Sequence, residues 1–262
     1  MKKNLQKKID ALKKIIRGYT RVVVAFSGGV DSTFLSYIAQ KTLGRDNTLI
    51  VTLNFLMFSP DDLENARQIA KRYSFNHIIS EVTVNSEILN KNPENRCYIC
   101  KRGNFKYLKK LCKKLNYNYV LDGSNLDDNP TLRPGSRAIE ELDIKTPLRD
   151  AGFTKNDIRI ASKNLGLINW DRPSSPCLAT RFPYGTPINK DAIKQIALAE
   201  KFLRGLGFLV VRVRYHNNLA RIEVPPERIK ELLNPQIRDK VQKRFEELGF
   251  KYVTIDLKGY TN

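Results

Sequence analysis

The chain has 262 residues, 46 of them Lys or Arg against 27 Asp or Glu, for a formal net charge of +19, and 41% of it is hydrophobic. That length supports one large or two modest domains with cores of their own. No apolar run is long enough to span a bilayer, and four cysteines in so long a chain exclude a disulfide scaffold. The basic start, Met1 to Gln6, lacks an apolar signal core, so a cytoplasmic protein with thiols kept for chemistry and no membrane partner is the expectation. The charge excess attracts polyanions and keeps tRNA among the partners to consider. The alternative places it on solvated helix faces and in sites for phosphorylated small molecules, and the absence of one dense basic tract favours this.

Leu5, Ile9, Leu12, Ile15 and Ile16 recur at helical spacing, so an amphipathic helix spans residues 4–17. Val22 to Phe26 is a short β-branched run, read as a buried strand. It turns through Ser27-Gly28-Gly29-Val30-Asp31-Ser32 into a helix carrying Phe34, Leu35, Tyr37 and Ile38. Such a turn suits phosphate. The glycines let backbone approach an anion, Ser27 and Ser32 offer hydroxyls, and the helix start presents free N–H groups. Asp31 would repel phosphate alone, so its expected task is to hold a bridging Mg2+. The loop is not the Walker type, because G-x-x-x-x-G-K-[ST] is absent. It resembles the PP-loop of the ATP pyrophosphatase superfamily, whose members split ATP between the α and β phosphates.

Residues 48–53 and 77–82 read as further strands, with a helix from Pro60 through Ala70 between them. The alternation predicts an α/β fold with a doubly wound, mostly parallel sheet. Asn54 and Phe55, at a strand's carboxyl end, are placed to flank adenosine. Asn92 to Arg102 then breaks the pattern and opens a helix with Cys97-Tyr98-Ile99-Cys100, where helix N–H groups, Lys101 and Arg102 favour thiolates. Cys112, on the apolar stripe of that helix, reads as a small core residue. Residues 119–121 form a strand ending in Asp122-Gly123-Ser124-Asn125-Leu126-Asp127-Asp128, which either contacts Mg2+ and ribose or is a capped loop. Arg133 and Arg137 flank a rigid turn expected to face the triphosphate, and Thr154 caps a helix running to about Leu165.

Trp170 to Gly185 is proline-rich, too stiff for a regular helix and too rich in large residues for a linker. It presents one thiol, Cys177, either beside a substrate or as an incidental part of a domain crossing. Beyond it come a helix over 192–206, a hairpin from strands 209–215 and 219–224, helices over 225–233 and 241–248, and a strand over 252–257. The expected division is a nucleotide domain over 1–168, a cysteine-bearing loop over 169–187 and a small α+β domain over 188–262 for substrate or oligomer contacts. Arg212 and Arg214, two apart on one strand, share a face and suit a phosphate or carboxylate, or stand solvated on an outer sheet face.

With the PP-loop, the Asp122-Gly123-Ser124-Asn125 cluster and the Ser175-Pro176-Cys177-Leu178-Ala179-Thr180-Arg181-Phe182-Pro183-Tyr184-Gly185 run, the chain resembles the LarE family along nearly its whole length. These are ATP-dependent sulfurtransferases of nickel-pincer cofactor biosynthesis. The resemblance implies that ATP adenylates a carboxylate of a pyridinium mononucleotide and that sulfur then displaces AMP. The nucleotide set would be Ala25, Ser27, Gly28, Gly29, Asp31, Ser32, Asn54, Gly123, Asn125 and Arg137, with Mg2+ on Asp31 and Asp128. Arg181, Glu200, Arg212 and Arg214 would meet the substrate. In one branch of the family the loop cysteine, Cys177 here, gives up its own sulfur. The added Cys97 and Cys100 fit the other branch, in which three thiolates hold a 4Fe–4S cluster with one iron open to sulfide or another sulfur donor. Zinc or a Cys97–Cys100 redox pair stay open as alternatives. So do a tRNA-thiolating enzyme and an amide-forming ligase, and a homo-oligomer is expected.

Overall fold

The computed structural model describes residues 2–83, 86–128, 135–173 and 176–260. Arg133 of the expected cationic turn, and Ser175 of the cysteine run, lie outside them. In chain order come α1 (Lys2–Arg17), β1 (Val22–Ala25), α2 (Val30–Leu43), β2 (Thr48–Asn54), α3 (Pro60–Arg72), β3 (His77–Glu81) and α4 (Ser86–Asn90). Then follow α5 (Arg96–Lys114), β4 (Tyr119–Leu121), α6 (Ser136–Glu141), α7 (Pro147–Asp150) and α8 (Lys155–Asn164). The last part has a 3₁₀ turn (Leu178–Arg181), α9 (Lys190–Gly205), β5 (Arg212–His216), β6 (Leu219–Glu223), α10 (Ile229–Leu232), α11 (Pro235–Glu247) and β7 (Tyr252–Ile255). Backbone contacts gather residues 1–55, 62–85 and 95–175 into one unit, and 56–61, 86–94 and 176–262 into a second. The second unit therefore takes two short stretches from the first half of the chain, which the division at 168 and 187 did not anticipate.

The first unit is built on a parallel sheet in the order β3-β2-β1-β4. Successive residues of β1 feed opposite cores. Val22 and Val24 pack with Leu12 and Ile16 of α1, Phe34 and Leu35 of α2, Ile69 of α3 and Ile158 of α8. Val23 packs with Phe105 and Leu108 of α5 and Ala138 and Ile139 of α6. Helices thus cover both faces, which is why β1 at the centre is apolar throughout rather than alternating. Each such side chain, fully buried, contributes about 1.5–3 kcal/mol. Cys112 lies in this second core, its thiol donating to the Tyr117 carbonyl at 3.2 Å, and burial pushes its pKa up. It is a packing residue.

The chain leaves β1 for β2 and β3 on one side, then returns to place β4 on the other side of β1. This reversal makes a crevice beyond the carboxyl ends of β1 and β4, where open α/β sheets bind ligands. The exit of β1 is pinned from below. The Thr52 hydroxyl donates to the Phe26 carbonyl at 2.9 Å and lies 2.8 Å from His77 Nε2. With its one proton so used, Thr52 accepts from His77, which fixes the Nε2–H tautomer. Burial, aided by Arg67, holds the His77 pKa down at about 4, so the ring is neutral in the folded protein. An unfolded chain takes up that proton nearer pH 6.5. Stability conferred by neutral His77 is therefore complete above about pH 6.5 and falls as the pH drops towards 4. Thermal unfolding followed by circular dichroism should show this loss in the wild type, and His77→Gln should flatten it.

The second unit holds a mixed sheet, β5 and β6 antiparallel with β7 parallel to β6. Asn217, at φ 57°, and Asn218 make the two-residue hairpin turn. Val213, Ala220 and Ile222 pack with Leu203 of α9, Val241 and Phe245 of α11, and Phe208 and Phe250. The strand expected from Leu209 begins only at Arg212: Gly207 turns the chain at φ 96°, and Leu209 is 75% exposed. The helix expected over 225–233 is a 3₁₀ turn (Pro226–Arg228) followed by α10, because two adjacent prolines supply no amide to an opening helical turn. Helix α11 starts well before Val241, where Asn234 caps the Gln236 amide and Pro235 takes the first position. Short helices α4, α6 and α7 carry too few residues to show a period. Among the described residues, no helix is long and apolar enough to cross a membrane.

Candidate active site

The loop after β1 is the first half of the site. Ser27 Oγ accepts from the Gly29 amide at 3.3 Å and lies 3.2 Å from Ser32 Oγ, which also accepts from the Ser27 amide at 3.3 Å. The two hydroxyls therefore brace the turn from within. Gly28 has φ 73°, and its carbonyl accepts from both Asn65 Nδ2 and Asn169 Nδ2 at 3.0 Å. Asn169, itself buried, also donates to Thr33 Oγ1 at 2.9 Å. The opening amides of α2 have no partner within the helix, as at any helix start, and the helix dipole adds to their pull on an anion.

Asp31 stands in the first turn of α2. Its Oδ2 takes Lys155 Nζ at 2.6 Å, while its Oδ1 is buried with no hydrogen-bond partner. Burial raises the Asp31 pKa, outweighing the Lys155 hydrogen bond and charge that pull it down, and Asp128 raises it further. Across the crevice, a side chain at Gly123 would come 3.2 Å from the Ser32 amide, a tight contact that glycine spares the segment after β4. The acidic stretch after it folds on itself. Asp122 accepts from the Ser124 amide and hydroxyl, Asp128 from the Asn125 amide at 3.0 Å, and Asn125 from the Asp127 amide at 2.9 Å. Asp127 in turn holds the Lys155 amide at 2.7 Å.

The sequence-expected residues are thus partly gathered. Ser27, Gly28, Gly29, Asp31, Ser32 and Gly123 meet at the crevice, with Ala25 closing β1. Asn54 spends its amide on Glu81, at 2.8 and 3.0 Å. Arg137 lies over the Tyr98 ring, 5.2 Å from its centroid, beside the cysteines of α5. Cys97 is exposed and Cys100 half-buried at the start of that helix, with Asn104 Nδ2 3.6 Å from the Cys100 sulfur. Sequence reasoning missed Asn65, Asn169 and the pairing of Lys155 with Asp31. Each joins the loop from a distant segment and leaves no local signal.

In the second unit, Cys177 is half-buried and leads into the 3₁₀ turn. Arg181 closes the loop behind it, donating to the Pro176 carbonyl at 2.8 Å and the Cys177 carbonyl at 3.4 Å. The Leu178 amide is held by the Met57 carbonyl at 3.1 Å, and Asn92 Nδ2 grips the Pro183 carbonyl at 2.7 Å. The stiffness of this loop thus comes from bracing by residues far back in the chain, as well as from its prolines. Arg181 and Glu200 form a buried fork, Nε to Oε1 at 2.7 Å and Nη2 to Oε2 at 2.9 Å. Arg212 and Arg214 do share a face, and the carboxylate they meet is Glu223 of their own hairpin, at 3.5 and 2.7 Å. Arg221 approaches the same carboxylate at 3.3 Å, so cations outnumber it. Arg212 also donates to the Tyr260 hydroxyl at 3.1 Å, and its Nε is buried with no hydrogen-bond partner. Among the described residues, no three His, Cys, Asp or Glu side chains form a ready metal site.

The NAD synthase family model matches residues 4–124. The pyridinium-3,5-bisthiocarboxylic acid mononucleotide synthase of Lactiplantibacillus plantarum is 38% identical over 249 residues, 94% of this chain and 88% of its own length. An uncharacterised protein of Synechocystis sp. is 39% identical, over 98% of this chain and 96% of its own. Another, from Methanocaldococcus jannaschii, is 35% identical, over 92% and 90%. A parallel sheet with this loop at its switch point defines a PP-loop ATP-using enzyme. Within that class, the chain belongs to the LarE family of ATP-dependent sulfurtransferases.

Proposed function

We propose that this enzyme uses ATP to adenylate a carboxylate of a pyridinium mononucleotide, releases pyrophosphate, and exchanges the adenylate for sulfur to leave a thiocarboxylate. The observation that carries the reading is the braced Ser27–Ser32 loop at the sheet's switch point, in a chain similar along 94% of its length to a bisthiocarboxylate synthase. The opening amides of α2 bind the triphosphate on the loop that the two serine hydroxyls brace, with Ala25, Gly123 and Asn125 on the adenosine side; Asn54, held by Glu81, and Arg137, over the Tyr98 ring, would have to leave those partners to reach the nucleotide. The carboxylate oxygen attacks the α-phosphorus, pyrophosphate departs, and a sulfur nucleophile then expels AMP from the acyl carbon. The unpartnered, buried oxygen of Asp31, with Asp128 adding negative charge, fits a divalent cation. Mg2+ there would neutralise phosphate charge. Arg212 and Arg214 serve the mononucleotide's anionic groups, while Arg181, buried and committed to Glu200 and to the Pro176 and Cys177 carbonyls, shapes the cysteine loop. The surplus of guanidinium over carboxylate around Glu223 supports this. An amide-forming reading follows from the NAD synthase match, but that match ends at residue 124, before Cys177.

Cys97 and Cys100 lie one helical turn apart, and neither they nor Cys177 are buried in a core, unlike Cys112. Cys97, Cys100 and Cys177 would hold a 4Fe–4S cluster, which when bound would supply an exchangeable sulfur on the iron lacking a protein ligand. Anaerobic purification should yield about four irons per chain with matching sulfide. Both should be lost in each of Cys97→Ala, Cys100→Ala and Cys177→Ala. Reconstituted wild type without iron would reject the cluster. A loss of H₂S from Cys177 after one turnover would then mark that residue as the sulfur source.

A further inference from the structure

Lys155 is the feature of the nucleotide crevice that the reaction just described leaves without a task. It occupies the first position of α8, and that position is fixed independently of its side chain. Thr154 and Asp157 form a reciprocal capping box, and the Lys155 amide is held by Asp127 Oδ2 at 2.7 Å. From this anchored backbone the side chain reaches back to the phosphate loop and places Nζ 2.6 Å from Asp31 Oδ2. The contact joins residues 124 apart in sequence, and each side chain is at least two-thirds shielded, at 31% and 25% exposure. Asp31 thus divides its carboxylate: one oxygen holds an ammonium, and the other is buried with no partner. The other charged groups acting on it are Asp128 and Arg159.

A compact monovalent cation on one oxygen of a carboxylate whose second oxygen is bare resembles a divalent site held at half charge. We propose that Lys155 is a built-in placeholder cation. It neutralises Asp31 while the crevice is empty, keeps free divalent cations from settling there, and yields only to a cation that arrives with the polyphosphate. This rests on the reading of Asp31 as the cation-binding carboxylate. Its consequence is an order of binding in which the metal enters as the metal–ATP complex. A lysine suits exchange better than an arginine, because its single point charge on a flexible stem leaves without breaking a bidentate fork.

Mn2+ titration followed by electron paramagnetic resonance tests this on the full chain, with Lys155→Met, Lys155→Arg, Asp31→Asn and wild type, with and without a non-hydrolysable ATP analogue. Methionine keeps the stem and removes the charge. The expected result is nucleotide-free Mn2+ affinity about tenfold tighter in Lys155→Met, from removal of one charge-assisted hydrogen bond to the ligand. Lys155→Arg should remain as weak as wild type. Unchanged or weaker Mn2+ binding in a folded Lys155→Met would overturn the proposal. If Asp31→Asn leaves Mn2+ binding with the ATP analogue unaltered, it is the assignment of Asp31 to the cation that fails. A lysine that merely braces α8 would lower the melting temperature in Lys155→Met without tightening Mn2+.

Discussion

Replacing Arg181 with methionine should destabilise the second unit by about 3–5 kcal/mol, the cost of leaving a buried carboxylate without its partner. Glu200 is 1% exposed and Arg181 5%. Without the guanidinium, Glu200 retains the Val213 amide at 3.0 Å and a long contact to Arg204 at 3.4 Å. These do not offset a charge held out of water. Against a typical stability of about 5–15 kcal/mol the loss is large. Urea unfolding monitored by tyrosine fluorescence should show it. The double replacement Arg181→Met with Glu200→Met should recover much of the deficit, because it removes the orphan charge as well. Arg181→Lys should fall between, since an ammonium cannot reproduce the fork. A single Arg181→Met variant within about 1 kcal/mol of wild type would contradict the buried-pair account. The same variant frees the carbonyls of Pro176 and Cys177, so sulfur transfer should fall in any fraction that stays folded.

Gly28→Ala should cost about tenfold in ATP binding with the sheet intact. Its φ of 73° lies where an L side chain is strained by about 1–2 kcal/mol. A methyl group would stand 2.7 Å from Asn65 Nδ2 and 3.0 Å from the Ala66 backbone of α3. The Asn65 amide could turn aside, but Ala66 could not without moving the helix. Relief would come by shifting the loop, which gives up the two asparagine bonds to the Gly28 carbonyl at about 0.5–1.5 kcal/mol each. Phosphate that needs the native loop restores the strained geometry, so a strain of about 1–2 kcal/mol is lost from binding, about one decade of affinity. Calorimetry with a non-hydrolysable ATP analogue would measure it. Near-native affinity would show that the loop tolerates a side chain there and that its geometry is not what holds phosphate.

How much of this was legible beforehand follows from how local each signal is. The phosphate loop was readable because strand, turn and helix start are encoded in a dozen consecutive residues. The Thr154 cap was readable for the same reason. The same-face placement of Arg212 and Arg214 followed from strand periodicity, but their shared partner Glu223 needed the hairpin register, Arg212 opposite Glu223. The Arg181–Glu200 fork, the Lys155–Asp31 pair and the Asn169 bond to the loop join residues brought together only by folding. No spacing rule reaches them. Leu209 misled because alternation continued past the point where Gly207 had already turned the chain.

The most direct measurement is anaerobic incubation of the purified enzyme with Mg–ATP, sulfide and pyridinium-3,5-biscarboxylic acid mononucleotide, with nucleotides resolved by chromatography and the acid by mass spectrometry. The account predicts AMP and pyrophosphate in step with a product in which one carboxylate oxygen has become sulfur, and neither without the acid. ADP and phosphate, or AMP formed with the acid unchanged in sulfur content, would contradict it.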